Sequence, residues 1–263
     1  MESRNNFSSL QKQHTLHNMK TYKVGIIGAG WIAHKMAQTL TKMKGVEAYA
    51  IASRSMDKAK EFANQYDIPV AYDSYEALAD DANVDLVYIA TPHSHHFQQA
   101  IMCLEKGKAL LCEKAFTANA KQAEQVLNLA KEKHIFVTEA MWIRFMPLYH
   151  KLVELVKNGT IGKPHTITAN LGYTMLGKER LMKPELAGGA LLDVGIYPLN
   201  FTAMVFGSDI VSTTSVCTKL DTGVDAQSSI TQVFTDERMA VLNTSMLAHT
   251  DRMGVVSGDK GCI

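Results

Sequence analysis

The chain of 263 residues is short of several things, and each shortage argues against a class of function. Cysteine is sparse and scattered: Cys103, Cys112, Cys217 and Cys262, with no C-x-x-C pair. That spacing speaks against a zinc site or a disulfide scaffold and fits a reduced, cytoplasmic setting. Charge of one sign is not in excess, since 27 basic residues face 26 acidic ones for a net charge of +1. With no basic patch, no nucleic-acid partner is expected. No apolar stretch approaches the ~20 residues that cross a bilayer, so no membrane partner is expected either.

What is present is ordinary globular material, 46% hydrophobic and 20% charged. It suffices for one large domain or two smaller ones. The first 19 residues stand apart, rich in Ser, Asn, Gln and His and without apolar periodicity. They lack the hydrophobic middle of a secretory signal and carry a single arginine, Arg4. A disordered leader is expected over 1–20.

From Tyr22 to Thr138 short apolar runs alternate with helical patterns. Strands are expected at Tyr22–Gly28, Val46–Ser53, Val70–Tyr72, Val84–Ala90, Ala109–Cys112 and Ile135–Thr138. Helices are expected between them, including one at His95–Lys106 and one capped by Asn119. This rhythm predicts an α/β fold with a doubly wound parallel sheet over 21–141. After Met141 the rhythm changes to a few helices and long alternating strands, which predicts an α+β unit over 142–263 with a large, mostly antiparallel sheet.

Gly28-Ala29-Gly30-Trp31-Ile32-Ala33 follows the first strand and opens the first helix. Gly28 allows the tight turn, Gly30 allows backbone N–H groups near a pyrophosphate, and Ala33 is small enough for helix–strand packing. The second strand ends Ala52-Ser53-Arg54-Ser55, with no carboxylate for a ribose 2′-hydroxyl. Arg54, Ser53 and Lys58 suit a 2′-phosphate instead, so NADP is expected over NAD. An exposed loop arginine is the plainer alternative.

Ligands of such sheets bind beyond the carboxyl ends of the strands. The fourth strand ends Thr91-Pro92-His93-Ser94-His95-His96. No cysteine or carboxylate completes a metal set there, so no metal is expected; helix-start contacts are, with one histidine facing the cofactor. The fifth strand ends Cys112-Glu113-Lys114-Ala115, which aims Lys114 at the nicotinamide region. Its ammonium can polarise a substrate oxygen or lower the pKa of a neighbouring phenol. The sixth leads into Glu139-Ala140-Met141-Trp142-Ile143-Arg144-Phe145, where Trp142 and Arg144 can face the cleft or, for Trp142, form interdomain core. Further on, Gly188-Gly189-Ala190-Leu191-Leu192-Asp193-Val194-Gly195-Ile196-Tyr197-Pro198 predicts a helix running to Phe206, led by paired glycines. Asp193 and Tyr197 then share a face, four residues apart.

These motifs together resemble the glucose-fructose oxidoreductase, inositol dehydrogenase and MocA (Gfo/Idh/MocA) family, and within it the dimeric dihydrodiol dehydrogenase branch. The resemblance runs from Tyr22 to the chain end. It implies catalytic roles for Lys114, Asp193 and Tyr197. The cofactor contacts expected are Gly28, Gly30, Trp31, Ile32, Ser53, Arg54, Lys58, Thr91, Pro92, His96, Glu113, Lys114, Trp142 and Arg144. It implies NADP(H) or NAD(H), a small-molecule substrate of the sugar, polyol, cyclitol or dihydrodiol kind, and a homo-oligomer formed through the C-terminal sheet. Three departures stand out: Ala115 in place of a usual proline, His93 in place of a usual asparagine, and an end at Ile263 that reads as a C-terminal truncation. A non-catalytic, regulatory NADP-binding protein of the same fold is the alternative expectation.

Overall fold

A computed structural model describes residues 20–263 of the protein; the expected leader falls, but for Lys20, outside the described residues. Six strands form the first sheet: β1 (Tyr22–Ile27), β2 (Val46–Ala52), β3 (Val70–Tyr72), β4 (Leu86–Ile89), β5 (Ala109–Cys112) and β6 (Val137–Glu139). All pair in parallel, in the order β3-β2-β1-β4-β5-β6. Helices α1 (Trp31–Leu40), α2 (Met56–Tyr66), α3 (Tyr75–Asp80), α4 (His93–Glu105) and α5 (Ala120–Glu132) make the crossovers. Ile26, Ile27, Ile51, Ile89 and Leu110 are fully buried, as expected of parallel strands covered on both faces. Side-chain caps start three of the helices: Ser55, Ser74 and Asn119 accept the N–H groups of Lys58, Ala77 and Gln122. Sheet order reverses between β1 and β4, which opens a crevice at their carboxyl ends.

The second sheet holds β7 (Pro164–Gly172), β8 (Ile210–Lys219), β9 (Asp225–Phe234), β10 (Met239–Ser245), β11 (Gly254–Gly258) and β12 (Gly261–Cys262), in the order β12-β11-β7-β10-β9-β8. Its pairings are antiparallel except β7 with β10, which the sequence pattern did not reveal. Helices α6 (Pro147–Lys157) and α8 (Ile196–Phe206) pack on one face, with the short α7 (Glu179–Met182) at one end. Phe201 and Phe206 of α8 meet Ile167, Ile230, Phe234, Leu242 and Val256 in the core beneath. Among the described residues none covers the opposite face, and Met239, Val241 and Asn243 alternate along β10 as exposed residues.

Two expectations need correction. Helix α4 begins at His93, not His95, because Pro92 with φ −62° and extended ψ is a ready helix start. The stretch 190–206 is not one α-helix: Leu191–Gly195 is a π-helical turn, and the α-helix starts only at Ile196.

Candidate active site

The cleft at the sheet reversal is built first by glycine. Gly28 has φ +98°, and a Cβ there would lie 2.9 Å from the Ala90 carbonyl oxygen. Gly30 is the N-cap of α1 and supplies no side-chain cap; no acidic residue follows in the first turn. A Cβ at Gly30 would meet nothing within 4 Å, so the approach to the helix start is open. The first N–H groups of α1 are therefore available to an anion, where the helix dipole favours it.

Seven residues expected at the cofactor line one cleft of about 230 Å³: Gly28, Gly30, Ser53, Arg54, Lys58, Thr91 and Pro92. Ala29, Ala90, His95 and Tyr75 complete it. Tyr75 was not foreseen; it follows the α3 cap Ser74, and burial raises its phenol pKa while the nearby Arg54 charge opposes that. An uncapped helix start at one end and two cations after β2, Arg54 in the loop and Lys58 in the first turn of α2, fit the charge pattern of a dinucleotide phosphate. Other expected contacts lie elsewhere. Trp31 is exposed under the Lys35 ammonium, and Ile32 packs against the core beside β1. His96 is fully buried and faces no cleft, so the histidine at the cleft is His95.

His96 instead links two loops. Its Nδ1 lies 2.9 Å from the Ala115 carbonyl oxygen and its Nε2 2.9 Å from that of Thr91. Burial lowers its pKa, and those two carbonyls oppose the shift. The turn after β5 is held at further points. Tyr88 Oη donates to Glu113 Oε1 at 2.5 Å, and Phe116 N–H donates to Glu139 Oε1 at 2.9 Å. Burial raises the pKa of both carboxyls. Glu113 thus braces the turn from within. The Lys114–Ala115 peptide is cis.

Lys114 Nζ donates to the Asp193 carbonyl oxygen at 2.8 Å and to Asp193 Oδ1 at 3.1 Å. Asp193 lies in the π-helical turn, and from there it offers Lys114 both its carbonyl and its carboxylate. Arg180 Nη2 on α7 donates to the same Oδ1 at 3.0 Å. Burial alone would raise the Asp193 pKa, but Lys114 and Arg180 outweigh it and hold the carboxyl below its ordinary value.

Tyr197 sits beside this cluster, with Lys114 Nζ 5.2 Å from its ring centre. The expectation that Lys114 lowers the phenol pKa is corrected. The ammonium lies over the ring, not at the oxygen; burial pushes the phenol up to about 12, and the bond donated by Trp142 Nε1 at 3.1 Å only partly opposes this. Trp142 is 56% exposed, so it is not interdomain core. Arg144 turns to Asn200, donating from Nε at 2.8 Å, and borders a separate pocket beside α8. Arg180 escaped the sequence reading because no motif surrounds it; its only signal is a cation upstream of the paired glycines. A protonated phenol beside a fixed ammonium can donate a proton to an oxygen and stabilise charge there.

Comparison with known proteins bears on the family and the fold. The oxidoreductase family with an NAD-binding Rossmann fold, Gfo/Idh/MocA, matches residues 22–141, and the C-terminal domain of that family matches 149–263. Trans-1,2-dihydrobenzene-1,2-diol dehydrogenase of Xenopus tropicalis is 37% identical, covering 92% of this chain and 74% of its own. The Homo sapiens enzyme of that name is 36% identical over 91% of this chain and 72% of its own. Among solved structures, a 3-ketoreductase from Actinomadura kijaniata in complex with NADP and TDP-benzene superposes with a TM-score of 0.85. It is 26% identical over 91% of this chain and 74% of that one. An aldose-aldose oxidoreductase from Caulobacter crescentus shares the fold, with a TM-score of 0.85 at 24% identity over 92% of this chain and 76% of that one. By both of its matched segments, this chain belongs to the Gfo/Idh/MocA family of oxidoreductases.

Proposed function

We propose that the protein transfers a hydride between NADP(H) and a hydroxyl or carbonyl carbon of a sugar, polyol, cyclitol or dihydrodiol. The observation that carries this reading is the convergence of Lys114, Asp193 and Tyr197, one buried histidine away from the wall of the dinucleotide cleft. Gly28, Gly30, Thr91 and Pro92 would hold the pyrophosphate side, and Ser53, Arg54 and Lys58 the adenosine 2′-phosphate. When bound, the cofactor supplies or accepts the hydride.

The chain's own residues manage the proton. Tyr197 Oη, protonated at neutral pH, gives its proton to the substrate oxygen in the reducing direction. Lys114 Nζ holds that oxygen and stabilises negative charge on it. Asp193 fixes Lys114 through both its carbonyl and its carboxylate. In the oxidising direction the same phenol is a poor base until a cation approaches it.

The division of labour follows the two sheets, with a dinucleotide-binding domain over 21–141 and a substrate domain over 142–263. The uncovered face of the second sheet, with all ten residues of β8 exposed, supports a homo-oligomer formed there. A cytoplasmic location accords with the scattered, unpaired cysteines.

The test sets NADPH oxidation with a panel of sugars and dicarbonyls beside quenching of NADPH fluorescence. Turnover with NADPH, and weaker turnover with NADH, is expected. Binding without turnover across the panel would leave the non-catalytic regulatory reading in its place.

A further inference from the structure

Arg180 is presented with more structure than a surface arginine needs. The helix that carries it has four residues, yet the segment around it is pinned. Leu181 beside it is fully buried, and the Leu181 carbonyl accepts Gly189 N–H at 2.9 Å. A Cβ on Gly188 would lie 2.5 Å from that carbonyl oxygen, so only glycine permits the return. His93 Nδ1 donates to the Ala187 carbonyl at 3.0 Å, tying the segment to the first turn of α4. Asp225 Oδ2 accepts Leu191 N–H at 2.6 Å at the far end.

The guanidinium so held is only partly spent. Glu179, the other charge on this helix, pairs with Lys183 just past its end. Arg180 uses Nη2 on Asp193 Oδ1, and among the described residues its other N–H groups make no hydrogen bond. Its side chain is 42% exposed, against 16% for Lys114 on the same carboxylate oxygen. One cation therefore sits deep beside the Tyr197 ring, and a second sits next to it, nearer solvent, with donors to spare.

We propose that Arg180 is a specificity-determining residue that grips a second substrate oxygen, on the carbon adjacent to the reacting one. The inference rests on the hydride-transfer reading and deepens it: the adjacent oxygen, which sugars, polyols, cyclitols and dihydrodiols all carry and isolated alcohols lack, is read by this one side chain. Lys114 and Tyr197 take the reacting oxygen, and the Arg180 fork takes its neighbour, a planar multi-donor contact that an ammonium cannot copy.

The experiment compares the full chain with its Arg180→Met and Arg180→Lys variants. Each is assayed with NADP⁺ on trans-1,2-cyclohexanediol and on cyclohexanol, with NADPH affinity followed by fluorescence and folding by thermal unfolding. The wild type is expected to prefer the diol. Arg180→Met should lose about ten- to a hundredfold in kcat/KM for the diol, chiefly in KM, and nothing comparable for cyclohexanol. Arg180→Lys should fall between, with NADPH affinity unchanged in both variants. Equal losses on both substrates would overturn the proposal and make Arg180 a partner of Asp193 alone, as would a diol preference that survives in Arg180→Met. A wild type that oxidises neither probe and reduces nothing in the carbonyl panel, while still binding NADPH, would remove the hydride-transfer reading itself. Turnover of cyclohexanol without preference for the diol would remove only this one.

Discussion

The dinucleotide cleft and the Lys114–Asp193–Tyr197 cluster, the two ends of the proposed site, are made in opposite ways. At one end, consecutive residues do the work: Gly28 to Ala33 turn the chain and expose the N–H groups of α1, so backbone binds and side chains mostly stay out of the way. At the other, the groups come from far apart in sequence, and Lys114 meets Asp193 across 79 residues. The first end depends on one local conformation. The second depends on a braced turn, a π-helical turn and a short pinned helix arriving together, so it should be damaged by single side-chain changes that leave the first untouched.

The sharpest break in this comparison is Tyr197→Phe. It should lower kcat by about 10²–10⁴ while NADPH affinity by fluorescence titration stays as it was. The wild-type pH profile sharpens the same point. With the phenol pushed up to about 12, the reducing reaction should be flat across neutral pH, whereas a basic limb near neutrality would assign the proton to another group.

His93 joins the two ends through Ala187 and makes their union acid-sensitive. Burial lowers its pKa to about 4, so the unfolded chain takes the proton more readily than the folded one. Stability should be full above its unfolded value of about 6.5 and fall by about 3 kcal/mol as pH drops through 4. His96, also held low by burial, adds in the same direction. Urea midpoints across this range check the slope, which His93→Asn should reduce.

Arg54→Met tests the binding end alone. NADPH affinity should weaken about ten- to a hundredfold, with NADH affinity unchanged. Equal losses for both nucleotides would show that Arg54 does not read the 2′-phosphate. The smallest effect expected is that of Asn119→Ala, which removes the cap on α5 far from either end of the proposed site. It should cost about 1 kcal/mol in thermal or denaturant unfolding and leave kinetic constants alone.

The contrast also explains what could be read without coordinates. The parallel sheet, its glycine turn, the cations just after β2 and the cap at Asn119 all follow from short-range patterns, because a strand–turn–helix unit is specified by neighbours. Lys114, Asp193 and Tyr197 were legible as a motif whose members meet, but the backbone that brings them together was not. An i,i+4 pair on an α-helix was expected, and the proline five residues after Asp193 gave no warning of a π-turn. Arg180 and Tyr75 escaped because their importance comes from partners far off in sequence, Asp193 for the one and the cleft residues around Arg54 for the other. His96 and Trp142 were placed by motif at the cofactor, whereas packing put one behind the turn and the other on the Tyr197 hydroxyl.

The amino-acid order alone determined which strands lie in the parallel sheet and where a phosphate can meet bare backbone, since both depend on periodicity and on the few residues that tolerate a tight turn. Only the tertiary structure decided that a phenol would be buried and carried further from ionisation, that an ammonium would lie over its ring, and that the carbonyl and carboxylate of one residue would hold that ammonium. Burial and long-range approach set those properties, and neither is a property of any segment by itself.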